Sequence, residues 1–398
     1  MQYDFTSIND RRAIGSRKWS IVPDEVDPLN DKMYPLTIAD MDFAPVPEIK
    51  TALQSFVGHN ILGYTAPTPS YLQAVCDFFE KQHQVTLDPE WIVTTPGVVA
   101  ALAAAVRAFT REGDKILIFT PVYPPFYRVI REQGREVVKC PLVIAQDGMY
   151  HMDFANLESL LSRENIKLLF VCNPHNPAGR VWTATDLSRL AKLAQENNCM
   201  VISDEIHADL TYPDIAHTMY FKALTDFTEA AMVCTSAAKA FNIPGLQTSN
   251  IFIPRSDLRE KFQNELAASG IQPANILGLY ATEVAYTQAL PWREEVLQVI
   301  KTNYNLVRDF FANLDNRFEV MPVQASFLAW VNCAKFGVKR EQLEAVFRAV
   351  CFFVADGADF GSEGDYYFRL NFGLPTAELQ ACLDNFAEKI SPYLHSIE

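Results

Sequence analysis

Lys239 stands in "TSAAKAFNIPGL", between small residues and an apolar run. An ammonium withdrawn from water there is costly unless it is paired or put to use. The use open to an amine is attack on a carbonyl to form a Schiff base. Other stretches offer what such chemistry would need. Asp204 closes the run Val201-Ile202-Ser203, and Asn176 adds an amide within "CNPHNP". Gly97 opens the alanine-rich stretch "VVAALAAAVRAF", whose first N–H groups and dipole favour an anion if it is a helix. A phosphate-bearing carbonyl cofactor, bound through a lysine and with an acid on its pyridinium nitrogen, would draw on all of these; pyridoxal phosphate is such a cofactor. Each residue also has an ordinary reading: Lys239 as a solvated loop residue, Asp204 as a helix cap, Gly97 as a plain helix start.

The elements that must position these groups follow from periodicity. Apolar runs rich in Ile, Val and Phe begin at Lys115, Lys167, Cys199, Ala231 and Ser249, and they read as strands. Helical patterns lie between or after them, around 124–133, 184–197 and 256–269. Continuous apolar strands alternating with helices indicate an α/β fold with a mainly parallel sheet covered on both faces. Such sheets bind ligands at the carboxyl ends of their strands. "CNPHNP", "SDEIH" and "TSAAK" each follow or end a strand, so they converge on one edge. Beyond about residue 290 the pattern changes to a long helix, "FEVMPVQASFLAWVNC", another helix, "YYFRLNFG" and a last helix, which reads as a separate α+β unit. The first 45 or so residues are expected to pack against it.

Composition narrows the function classes. The chain has 398 residues, 49% of them hydrophobic, with a net charge of −14 and no Lys/Arg cluster. Nucleic acid and anionic membranes are therefore not expected as partners. No run approaches the length of a membrane span and the amino end lacks a signal-peptide core, so a cytoplasmic small-molecule enzyme is expected. The eight cysteines show neither C-x-x-C pairs nor histidine companions at zinc spacing; neither a disulfide nor a metal is expected. Cys172, beside "NPHNP", reads as a strand residue facing the core.

Six motifs in order, "TPGVV", "PVYPPF", "CNPHNPAGR", "SDEIHADL", "TSAAKAFNIPGL" and "RLNFG", resemble the fold-type I pyridoxal-phosphate enzymes, the aspartate aminotransferase superfamily, over essentially the whole chain. The resemblance implies the PLP-dependent transferase-like fold. Its large domain, 46–288, would hold a seven-stranded sheet, and a smaller α+β domain would form from both chain ends, 1–45 and 289–398. Lys239 then resembles the lysine bonded to the cofactor, and Asp204 the carboxylate that keeps the ring nitrogen protonated. Asn176 resembles the amide at the ring oxygen, Tyr123 the aromatic stacked on the ring, and Val98, Val99 and Ser236 the phosphate donors. Arg369 in "FRLNFG" resembles the arginine that clamps a substrate α-carboxylate, beside which Tyr123 also meets the substrate. Tyr64 in "LGYT" resembles the tyrosine that reaches the phosphate of a neighbouring subunit, which implies a homodimer with shared active sites.

Two positions depart from the common pattern: Ala238 precedes the lysine where many aminotransferases have serine, and Gln247 stands where many have a basic residue. His207 has two open readings, a residue that orients Asp204 or a helix-start histidine. At the amino end, "RRAIGSRKW" and "ADMDF" resemble the cystathionine β-lyase-like C–S lyases within the superfamily. That branch implies β-elimination from L-cystathionine or other S-substituted L-cysteines, with Lys239 as the base at Cα and a thiolate as leaving group. An aminotransferase, or a regulatory protein that retains the cofactor site, are the alternatives. Met41, Phe43 and "CFFVADGADF" are candidates for the thioether pocket, each also readable as core.

Overall fold

The computed structural model describes residues 2–224 and 230–394. Two compact units divide it: a larger one of Pro45–Asn176 and Arg180–Arg293, and a smaller one of Met1–Ala44, Pro177–Gly179 and Glu294–Glu398.

The larger unit runs α1 (Pro47–His59), α2 (Pro69–His83), β1 (Ile92–Thr95), α3 (Val98–Phe109), β2 (Lys115–Thr120), α4 (Pro124–Arg131) and β3 (Glu136–Pro141). A short hairpin of β4 (Val143–Ile144) and β5 (Tyr150–His151) follows. Then come α5 (Phe154–Arg163), β6 (Ile166–Cys172), α6 (Ala184–Glu196), β7 (Met200–Asp204), β8 (Ala231–Thr235), β9 (Ser249–Phe252), α7 (Ser256–Ala268) and α8 (Ile276–Gln288). Seven of the strands form one sheet in the order β1-β9-β8-β7-β6-β2-β3. β9 runs antiparallel to both its neighbours, so β1 points the same way as the remaining five. The two outer strands, β1 and β3, are absent from the apolar runs found in the sequence; β3 carries half-buried and exposed positions that dilute its hydrophobic signal.

Residue parity decides what lies on each face. Phe170, Cys172, Ile202, Met232 and Cys234 share one face and pack in a core with α3, α4 and α7. Ala101, Ala104 and Ala105 of α3 are fully buried there, and their small side chains let the helix lie close to the sheet. Two helix amino termini are capped differently: α6 begins with a capping box in which Thr183 and Asp186 satisfy each other's backbone N–H groups, whereas α3 begins at Gly97 with no side-chain cap.

In the smaller unit, α9 (Leu290–Leu314), β10 (Glu319–Val320), β11 (Leu328–Asn332), α10 (Arg340–Ala349), β12 (Ala355–Asp356), β13 (Tyr367–Asn371) and α11 (Thr376–Leu394) follow one another. Its antiparallel sheet has the order β10-β11-β13-β12, which places β13 inside rather than at an edge. Aromatic rings fill the space against the helices, with Phe347 and Phe368 centroids 5.1 Å apart. Leu36 adds a parallel bridge to Val354.

Candidate active site

Five loops leave the same edge of the large sheet. β1, β2, β6, β7 and β8 are mutually parallel, so the segments after their carboxyl ends carry Gly97, Tyr123, Asn176, Asp204 and Lys239 to one side. Register sharpens this: Cys172, Asp204 and Cys234 are direct partners across β6, β7 and β8. Asp204 therefore points to the same face as those two thiols, the face covered by α3. Strand parity thus puts the carboxylate on the side of the sheet that α3 covers.

Asp204 is buried and its side chain accepts one backbone hydrogen bond, from Ile206 N–H at 3.2 Å. Burial pushes its pKa up from 3.8 to about 7, against the pull of the Ile206 N–H and of the Lys239 ammonium, with neighbouring Glu205 adding to the rise. The chain thus leaves a carboxyl group poised near neutrality beside an amine. Asp204 in turn helps burial to raise the Cys172 and Cys234 thiols far above their ordinary range. Both cysteines are core residues in the thiol form.

Glu205, next in sequence, faces the other way and is fully engaged. It accepts from Ser203 Oγ at 2.8 Å and Tyr220 N–H at 2.8 Å, and pairs with His217 Nε2 at 2.9 Å. His207 precedes a short turn, Ala208–Leu210, and its carbonyl accepts from Leu210 N–H at 3.0 Å.

The loops are also tied to each other. Tyr123 immediately precedes α4, and its N–H donates to Asn176 O at 3.1 Å. His175, fully buried, bonds through Nε2 to Pro121 O at 2.7 Å, and its N–H donates to Arg180 O at 2.7 Å. Burial lowers the His175 pKa to about 4, so the ring stays neutral and Nε2 is the donor. Sequence reasoning passed over His175; its only signal was a histidine enclosed by two Asn-Pro pairs.

Lys239 is half-buried in the turn after β8. The adjoining loop is fixed by Ser236, whose hydroxyl donates to Thr248 O at 2.6 Å and accepts from Ala238 N–H at 3.1 Å. Ser236 thereby secures the lysine loop through its own hydrogen bonds. Gly278 of α8 approaches the same loop so closely that a Cβ there would lie 1.9 Å from Thr248 Oγ1. Gln247 is exposed with φ at +44°, directly before this contact.

At α3, Val98 and Val99 are the first two helical residues, and their N–H groups have no acceptor within the helix. Gly97 has φ at +98°, and nothing lies within 4 Å of where a Cβ would be. This open, uncapped terminus is a suitable anion cradle. Tyr64 differs from the other candidates: it is fully exposed on the segment between α1 and α2, near exposed Val57, Ile61 and Leu62.

Arg369 belongs to the smaller unit, on β13, where it is buried. Nη2 donates to Thr37 O at 2.9 Å and the guanidinium lies 4.9 Å from the Phe360 ring centroid. Phe360 is part of the aromatic stretch singled out from the sequence; Met41 and Phe43 are also buried in this unit.

The chain matches the family model described as aminotransferase class I and II over residues 31–386. It is 35% identical to cystathionine β-lyase PatB of Bacillus subtilis strain 168, over 95% of this chain and 97% of that protein. Its structure is similar to that of cystalysin from Treponema denticola, which contains pyridoxal 5'-phosphate: the TM-score is 0.93 at 33% identity, covering 99% of this chain and 100% of that one. A pyridoxal-phosphate-bound C–S lyase from Staphylococcus hominis, in complex with the inhibitor L-cycloserine, gives a TM-score of 0.89 at 28% identity over 98% and 99% of the two chains.

Proposed function

The chain belongs to the aminotransferase class I and II family, and from that premise we propose that it is a pyridoxal-phosphate-dependent carbon–sulfur lyase acting on L-cystathionine or other S-substituted L-cysteines. The products are a thiol, pyruvate and ammonia. The lyase reading rests on the 35% identity with cystathionine β-lyase PatB over 95% of this chain, and the observation that carries its cofactor is Asp204: a buried carboxyl, raised to about 7, level with two core thiols and beside Lys239. Such a group fits a cationic ring nitrogen, whose charge would offset the burial that the chain leaves uncompensated.

The remaining donors fit the rest of pyridoxal phosphate. Val98 and Val99 N–H groups at the uncapped α3 terminus would hold the phosphate, with Ser236 donating if it turns from Thr248. Asn176 would hold the ring oxygen and Tyr123 the ring face, both kept in place by the Tyr123–Asn176 and His175–Pro121 bonds. When bound, the cofactor supplies the electron sink that makes the substrate Cα–H acidic. Lys239 Nζ takes that proton as general base. Arg369 binds the substrate carboxylate, its fork matching two oxygens. The Cβ–S bond then breaks because a thiolate is a good leaving group, and one water completes the release of pyruvate and ammonia.

A homodimer and a cytoplasmic location belong to the same reading. The exposed apolar residues Val57, Ile61, Leu62 and Tyr64 support the first, with Tyr64 reaching the phosphate site of a second copy. Eight unpaired cysteines support a reducing compartment. Among the described residues, no helix is long and apolar enough to cross a membrane.

The test is to mix purified holoenzyme with L-cystathionine, without a 2-oxo acid, and assay thiol and pyruvate together. One pyruvate per thiol supports the lyase. Turnover that requires a 2-oxo acid and releases no thiol overturns it in favour of transamination. Lys239→Ala should lower turnover by at least ~10³-fold; near-normal rates in that variant would remove Lys239 from its role.

A further inference from the structure

Lys18 and Trp19 of "RKW", Asp40 and Asp42 of "ADMDF", and Arg11 form one charge network in the smaller unit, with Lys18 and Asp42 buried at its centre. Lys18 has no exposed side-chain surface; its Nζ bonds Asp42 Oδ2 and donates to Asp40 O at 3.1 Å. Trp19 Nε1 donates to the other Asp42 oxygen at 2.9 Å, and Arg11 reaches that oxygen at 2.8 Å while pairing with Asp40 at 3.0 Å. A lysine and an aspartate removed from water at this depth are costly as stabilising devices alone, since an apolar pair would pack as well. What they grip is the segment 37–42.

That segment is bonded on its other side to β13 and its continuation. Asn371 Nδ2 donates to Ile38 O at 2.6 Å and to Asp40 O at 2.8 Å, so Asp40 O is shared by Asn371 and Lys18. Asp42 N–H donates to Gly373 O at 2.8 Å. Arg369, two residues before Asn371, donates to Thr37 O. The segment is therefore a strap with Arg369 at one end and the Lys18–Asp42 pair at the other.

We propose that Lys18 and Asp42 are positioning residues for Arg369, holding the strap so that the guanidinium keeps one orientation for a substrate α-carboxylate. The inference rests on the reading of Arg369 as the carboxylate anchor. A fixed fork matters because a binding group that must first be ordered gives up part of its affinity.

The test uses holoenzyme with Lys18→Met, Asp42→Asn and Arg369→Ala. KM and kcat for L-cystathionine are measured together with the inhibition constant of S-methylcysteamine, an amine that lacks the carboxylate. Lys18→Met and Asp42→Asn should each raise KM about tenfold or more, with kcat changed less than about threefold. The inhibition constant of the amine and the absorbance of the bound cofactor should stay as in the parent. A folded Lys18→Met or Asp42→Asn protein whose KM is within about twofold of the parent, while Arg369→Ala raises it, overturns the proposal. An equal loss of affinity for the amine overturns it as well. If Arg369→Ala itself leaves KM unchanged, the anchor reading falls, and the strap with it. Should Lys18→Met fail to fold, Asp42→Asn carries the test, because it keeps the side-chain shape and an acceptor for Trp19.

Discussion

Asp204 and Asp42 are both buried carboxyl groups, but the protein treats them in opposite ways. Asp42, in the smaller unit, receives Lys18, Arg11 and Trp19 within hydrogen-bond distance. Asp204, at the strand edge of the larger unit, receives one backbone N–H and is lifted to about 7. Where a charge serves the fold, the chain supplies its partners. At Asp204 the burial is offset by one backbone N–H alone, and on the proposed function the cationic ring nitrogen would supply the rest.

Neutralising each acid in turn should move stability in opposite directions. Asp204 has a folded-state pKa above its unfolded value, so its share of stability is present below about pH 4 and is lost as pH rises to about 7. In the cofactor-free protein Asp204→Asn should therefore be neutral at low pH and stabilising above pH 7, by up to about 4 kcal/mol. Asp42→Asn should instead destabilise by roughly 3 kcal/mol, because buried Lys18 loses its nearer counter-charge and keeps only Asp40 at 3.8 Å. Denaturant melts of both variants at pH 5 and pH 8 give the two signs; a loss of stability in both at pH 8 would end the distinction. The same Asp204→Asn change should lower turnover of the holoenzyme by about 10²-fold or more through the lost charge.

His175 is a buried group of the opposite charge type. Its folded-state pKa, about 4, lies below the ordinary 6.5. The unfolded chain takes up the proton first, so stability present above pH 6.5 is lost as pH falls towards 4. The loss should reach about 3 kcal/mol, and His175→Gln should show a flatter pH profile over that window. Equal slopes for parent and variant between pH 7 and pH 4.5 would show that His175 is not the source.

Gly278→Ala is a smaller and purely steric probe of the lysine loop. The added Cβ must displace Thr248, whose carbonyl holds Ser236, at a cost of about 1–3 kcal/mol. A melting temperature equal to the parent's would show that α8 can withdraw without strain.

Much of the large sheet was legible because its signals are local. The strands β2, β6, β7, β8 and β9 are short apolar runs, and the residues that follow several of them are polar and unusual. β1 and β3 were missed: one has only Ile92 and Val93 as an apolar run before two threonines, and the other mixes exposed and buried positions. In the smaller unit β12, two residues long, was hidden within an aromatic stretch. The "KW" and "ADMDF" motifs were visible as letters, yet their meeting joins residues 18 and 42, and a contact across that many residues leaves no periodicity to read.

By itself the sequence determined the alternation of strands and helices, the segments that carry the chemistry and the order in which they occur, because each depends on neighbours a few residues away. Tertiary structure decided three further things. Pairing register set Asp204 level with Cys172 and Cys234 and on the α3 side; burial, which depends on every element packed around it, raised that carboxyl to about 7; and the fold of the smaller unit brought Lys18 to Asp42 and Thr37 to Arg369. These depend on free energies of pairing and desolvation between segments far apart in the chain, which no local pattern encodes.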